Sequence, residues 1–84
     1  MQEGILASLI PPALKAALNE LRRVRSLKPT EGDWATYADW RDQMAVVLDS
    51  LAANLLHETD QQQARAEAEA AREQARAIRA RHPT

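Results

Sequence analysis

Apolar positions along this chain recur at helical spacing, and no stretch alternates apolar with polar residues for long enough to read as a strand. Ile5, Leu6, Leu9 and Ile10 fall on one face of two helical turns. Pro11 biases Ile10 away from helical dihedrals, so this first segment ends there. It is too short to be stable alone and is expected to dock on another surface. Leu14, Ala17, Leu18, Leu21 and Val24 then follow i, i+3, i+4, i+7 spacing. They predict an amphipathic helix from Pro12 to about Leu27 with a stripe roughly 120° wide, and proline suits its first turn. Pro29 stops it, and Thr30 or Asp33 is placed to cap the next helix.

From Trp34 the pattern broadens. Trp34, Tyr37, Met44, Leu48, Leu51 and Leu55 repeat with largely 3-4 spacing. Trp40 and Val47 widen one flank, and Ala38, Ala45, Ala52 and Leu56 widen the other. The apolar sector spans roughly 180°, more than one facing helix covers. Val46 falls outside it, with no assigned role. After His57 the apolar pattern stops. No Gly or Pro occurs between Asp33 and His82, which favours one continuous helix from Trp34 to about Arg79, roughly 70 Å long at 1.5 Å per residue. The alternative is a break near Thr59, where Thr59 with Gln62 or Asp60 with Gln63 matches a capping box. From Ala64 onward strong helix formers dominate, so this stretch is helical by propensity more than by burial. Ala64, Ala68, Ala71, Ala75 and Ile78 have the 4-3 spacing of a close-packing seam, but Ala66, Ala70, Ala77 and Ala80 line the opposite side, which favours plain propensity.

Composition agrees with an all-helical chain. Alanine is the commonest residue, phenylalanine is absent, and there are two glycines among 84 residues. The absence of cysteine removes disulfide frameworks and cysteine-ligated zinc or iron–sulfur sites. The longest uncharged run, Gly4 to Leu14, is too short to span a bilayer, and no basic region precedes it as in a signal peptide. These features give the expectation of a cytoplasmic protein with no membrane association.

The net charge of −1 conceals blocks. Residues 13–28 carry Lys15, Arg22, Arg23, Arg25 and Lys28 against Glu20. Residues 29–60 carry seven acids against Arg41, and residues 61–84 carry five arginines against three glutamates. In a hairpin, Arg22 to Lys28 would face Asp33, Asp39 and Asp42, in accord with both helix macrodipoles. Arg65, Arg72, Arg76 and Arg79 share a helical face with Glu69. They read first as a solvated face, because Glu69 and Glu73 can pair with Arg72 and Arg76 at i+3. As phosphate contacts they form the less favoured alternative, a nucleic-acid-binding arm.

Chemistry-bearing motifs are scarce. His57 with Asp60 or Gln61 has ligand-like spacing, but three protein ligands are wanting, so no metal or other cofactor is expected. Ser8, Ser26 and Ser50 have no base nearby in sequence, and no glycine-rich phosphate loop occurs. An enzyme is not expected. The order Gly32-Asp33-Trp34 is not the Trp-x-Gly of small secreted WXG-type hairpins, and the tail lacks their Tyr-x-x-x-Asp/Glu signal, which excludes that family.

The resulting expectation is an all-α chain. Residues 1–11 form a docking segment, 12–57 an antiparallel helical hairpin with a long second helix, and 58–84 an Ala/Arg/Glu-rich tail. Trp34, Tyr37, Trp40, Arg41, Met44, Val47, Leu48, Leu51 and Leu55 are the expected oligomer or partner interface, closed as a homodimeric four-helix bundle. Arg41 inside that sector must snorkel, stack or find a carboxylate, and an intermolecular ion pair there would fix register. The expected function is a small interaction or adaptor protein that self-associates and binds a protein partner. A DNA-associated accessory, or a subunit of a larger phage or mobile-element assembly, is the alternative, and the Ala/Arg usage suits a bacterial or phage genome.

Overall fold

The computed structural model of the chain describes residues 10–30 and 32–83. The docking residues Ile5, Leu6 and Leu9 lie outside the described residues. Three helices make up the fold: α1 (Pro12–Ser26), α2 (Trp34–Asn54) and α3 (Glu58–Arg81).

α1 begins on a proline, as the spacing predicts, and buries Ala17, Leu21 and Val24, with Leu14 and Leu18 half-buried beside them. Gly32, at φ +104°, takes the left-handed conformation that turns the chain toward α2. Of the two candidate caps, Asp33 does the work. Its carboxylate accepts from the Thr36 N–H at 3.2 Å and from the Thr36 hydroxyl at 2.7 Å. Both bonds favour the ionised acid and hold Asp33 below the usual carboxylate range. A lowered folded-state value means this stabilisation is complete above the unfolded value and disappears as pH falls through the folded one. Asp33→Ala is therefore expected to lower the urea midpoint at neutral pH. The gap between variant and wild type should close in strong acid; a gap that persists there would assign the cap's effect to something other than the carboxylate's charge.

The uninterrupted helix expected from Trp34 to Arg79 is instead two helices. α2 ends at Asn54, Leu55 and His57 take extended dihedrals, and α3 opens at Glu58. No Gly or Pro marks the bend. It is held by the Gln61 side chain, whose Nε2 donates to the Leu55 carbonyl at 2.7 Å, while the Gln61 N–H bonds the His57 carbonyl. Neither expected capping box forms; His57 is the N-cap and makes no side-chain bond there. Glu58 and Asp60 occupy the first turn of α3, favourably to its dipole.

The bend lets α3 run back along α2. Ala64, Ala68, Ala71 and Ala75 are all buried, whereas Ala66, Ala70, Ala77 and Ala80 are exposed. Plain propensity, the favoured reading of this alanine-rich stretch, is thus insufficient: one alanine row is a packing seam. On α2, Ala38, Ala45 and Ala52 are equally buried, on the stripe between Asp39, Asp42 and Asp49, which pair with arginines of α3. Small side chains on both helices allow close approach over many turns.

The 180° sector of α2 is therefore covered within the chain along its middle, while Trp34 and Leu56 at its two ends are exposed. α1 packs on the side bearing Trp40, Val47 and Leu51, and α3 on the alanine side. Trp40, Met44, Val47, Leu48 and Leu51 are buried, and Tyr37, Arg41 and Leu55 half-buried. α3 packs on part of the face expected to take a second chain. The core could not be recognised in the tail because the tail contributes alanines instead of large apolar side chains. Val46, outside the sector, is 68% exposed on the uncovered back of α2.

Candidate interaction groove

α1 and α3 pack on different flanks of α2, and no Cα of one lies within 8 Å of a Cα of the other. Between them runs a groove floored by α2. Its α3 wall is the row Glu67, Ala70, Gln74, Ala77, Ile78 and Arg81, one helical stripe beside the alanine seam. Its α1 wall ends in Arg25 and Lys28. The open end, between Lys28, Gly32, Trp34, Tyr37 and Ile78, encloses about 700 Å³; the narrower stretch over Arg41, Met44 and Leu48 encloses about 300 Å³.

The three aromatics have three separate tasks. Trp40 is buried, and its Nε1–H donates to the Val24 carbonyl at 2.7 Å, which ties α2 to the last turn of α1. Tyr37 stands edge-on to Trp40, with centroids 5.3 Å apart, and forms part of the groove wall. Trp34 is 42% exposed at the mouth of the groove. One of its faces is stacked on His82 at 4.6 Å, which closes the C-terminal end of α3 onto the start of α2.

Arg41 is the least settled side chain. Its guanidinium carbon lies 5.5 Å from the Trp40 ring centroid, a cation–π distance. Its Nε is buried with no hydrogen-bond partner. Stacking, one of the solutions expected for a charge in this sector, is the one adopted.

The acidic block of α2 is neutralised from an unexpected side. Arg79 pairs with Asp39 at 2.8 Å and Asp42 at 2.7 Å, and Arg72 with Asp49 at 2.7 Å. Arg72 also pairs with Glu69 and Arg76 with Glu73, the i+3 pairs that the spacing predicts, and Arg76 reaches Glu69 as well. These contacts hold Glu69 below its ordinary range, chiefly through the Arg72 bond, and raise the arginines. The expected pairing of Arg22–Lys28 with Asp33, Asp39 and Asp42 does not form. The register explains it: Asp39 and Asp42 lie toward α3, and α1 packs on the other flank of α2. Arg23 pairs locally with Glu20, Arg22 bonds Asn19, and among the described residues Arg25 and Lys28 meet no carboxylate.

Of the candidate phosphate contacts, Arg72, Arg76 and Arg79 are thus occupied by carboxylates, and Arg65 alone stands on an exposed face without one among the described residues. Among the described residues no group of three or more His, Cys, Asp or Glu is placed to hold a metal ion, and no helix is long and apolar enough to cross a membrane. Comparison with known protein families, with curated proteins and with solved structures finds no match to this chain.

Proposed function

We propose that this chain is a small non-enzymatic interaction protein, an adaptor whose binding surface is the groove between α1 and α3. One contrast carries the reading. Trp40, Met44, Val47, Leu48 and Leu51 of α2 are buried within the chain, yet the groove beside them keeps an exposed tryptophan, a half-buried tyrosine and cations with no ion pair among the described residues. Trp, Tyr and Arg are the residue types that dominate binding hot spots. The composition offers no competing catalytic constellation.

Self-association through the α2 face loses its main physical support, because α3 already occupies that face. Light scattering on the eluting protein at micromolar concentration is expected to give a monomer of 9.4 kDa. A dimer would return the second-chain reading to first place. The adaptor reading itself is tested with a photo-reactive residue at position 77, inside the groove, and at position 53, on the back of α2. Expressed in the source cells, the groove position should yield a discrete adduct, identified by mass spectrometry, that position 53 does not. Equal labelling from both positions, or none, removes the reading.

A further inference from the structure

Accepting that the groove is a binding surface, its charges and shape say what it takes. Lys28 and Arg81 stand on opposite walls at the open end, and Arg25 and Arg41 line the narrower stretch. Glu67 is the one carboxylate facing these four cations along the described lining. None of the four forms an ion pair among the described residues, although every acid of α2 that lies toward α3 has one. Fold and register have sorted the charges of a nearly neutral chain so that this channel is positive. Between the cations the surface is apolar: Trp34, Tyr37 and Ile78 at the mouth, Met44 and Leu48 on the floor.

We infer that the groove binds an acidic amphipathic helix of a partner protein, laid between α1 and α3 in the position of a fourth bundle helix. Apolar side chains at i, i+3, i+4 and i+7 of that helix enter between Tyr37, Met44 and Ile78. Asp and Glu on its flanks meet Arg25 and Lys28 on one wall and Arg81 on the other. A carboxylate reaching Arg41 supplies the partner that its buried Nε lacks. Nucleic acid fits less well. One face of Trp34 is already stacked on His82, Trp40 in the floor is buried and offers little surface for a base to stack on, and Asp39 lies close behind the open end.

The test is a display selection of randomised amphipathic helices against the whole chain, with the double variant Lys28→Glu/Arg81→Glu as counter-target. Both positions are exposed, so the variant is expected to fold, which circular dichroism checks. Selected helices should be net acidic, with apolar residues at helical spacing, and should bind the double variant at least about tenfold more weakly. Their affinity should fall with added salt. Amide shifts on binding should map to Tyr37, Ile78 and Arg81. Enrichment of neutral or basic helices, or undiminished binding to the double variant, overturns the inference, as does tighter binding of a single-stranded thymidine oligomer. If selection fails while position 77 still yields its discrete adduct, the acidic-helix chemistry falls and the adaptor reading survives. If both fail, both fall.

Discussion

Replacing Trp40 with alanine is expected to cost about 3–5 kcal/mol, the range for truncating a large buried aromatic. A chain of 84 residues has a total stability of only about 4–13 kcal/mol at the usual value per residue, so the loss removes much of what holds it folded. The effect should be large because Trp40 serves several neighbours at once. It fills the space between α1 and α2, donates to the Val24 carbonyl, and supports both the Tyr37 ring and the Arg41 guanidinium. Trp40→Phe separates these parts. It keeps most of the apolar volume and deletes the N–H, and the Val24 carbonyl still accepts from the Leu27 N–H at 3.0 Å. Phenylalanine should therefore be much less damaging than alanine. Urea unfolding followed by circular dichroism measures both. A loss below about 1 kcal/mol for Trp40→Ala would mean that α1 is held to α2 by something other than this side chain.

The second large effect belongs to the alanine seam. Ala71 has no exposed surface and faces α2 where Ala45 is also buried. Ala71→Leu places three further carbons in the buried seam between α2 and α3. Overpacking of this kind costs about 1–3 kcal/mol. Here the strain has an outlet, since α3 can lift away from α2. The freed α2 sector would then expose Ala38, Ala45 and Ala52 beside Leu48, and association should follow. The expected result is a lower urea midpoint together with a rise in scattering mass. Ala66→Leu is the control, because Ala66 lies on the exposed side of the same helix. It should change stability by no more than about 0.5 kcal/mol and leave the mass unchanged. Equal behaviour of the two variants would show that the seam is not the contact that matters.

The first half of the chain was legible because its signals are local. Pro12, Pro29, Gly32 and Asp33 punctuate α1 and the start of α2, and the apolar stripes identify which faces are buried. The breadth of the α2 sector also pointed correctly to the need for more than one neighbour. What it did not reveal was where that neighbour lies in sequence. An alanine-rich helix reads alike whether its alanines are chosen for propensity or for close packing; burial separates Ala68 from Ala70, and burial is a tertiary property. The bend at 55–57 was hidden for a related reason. Its residues have no intrinsic objection to helix, and the bond from Gln61 to the Leu55 carbonyl exists only once α3 has turned back. The charges followed the same logic. Which arginines neutralise Asp39 and Asp42 depends on which flank of α2 each helix takes, and that register leaves Arg25, Lys28, Arg41 and Arg81 along the groove without an ion pair among the described residues.

The connector 55–57 would also allow α3 to be exchanged between molecules. Leu55, Leu56 and His57 can all adopt helical dihedrals, and straightening them fuses α2 and α3 into a single rod. The alanine seam would then lie on the α2 of a second molecule, through the same contacts and the same Arg79 and Arg72 ion pairs. Such a swapped dimer would share most helix contacts with the closed monomer and differ in the conformation of residues 55–57 and in the entropy of association. Their balance is set by protein concentration, and a proline at position 56, already outside any helix and 74% exposed, would tip it toward the monomer.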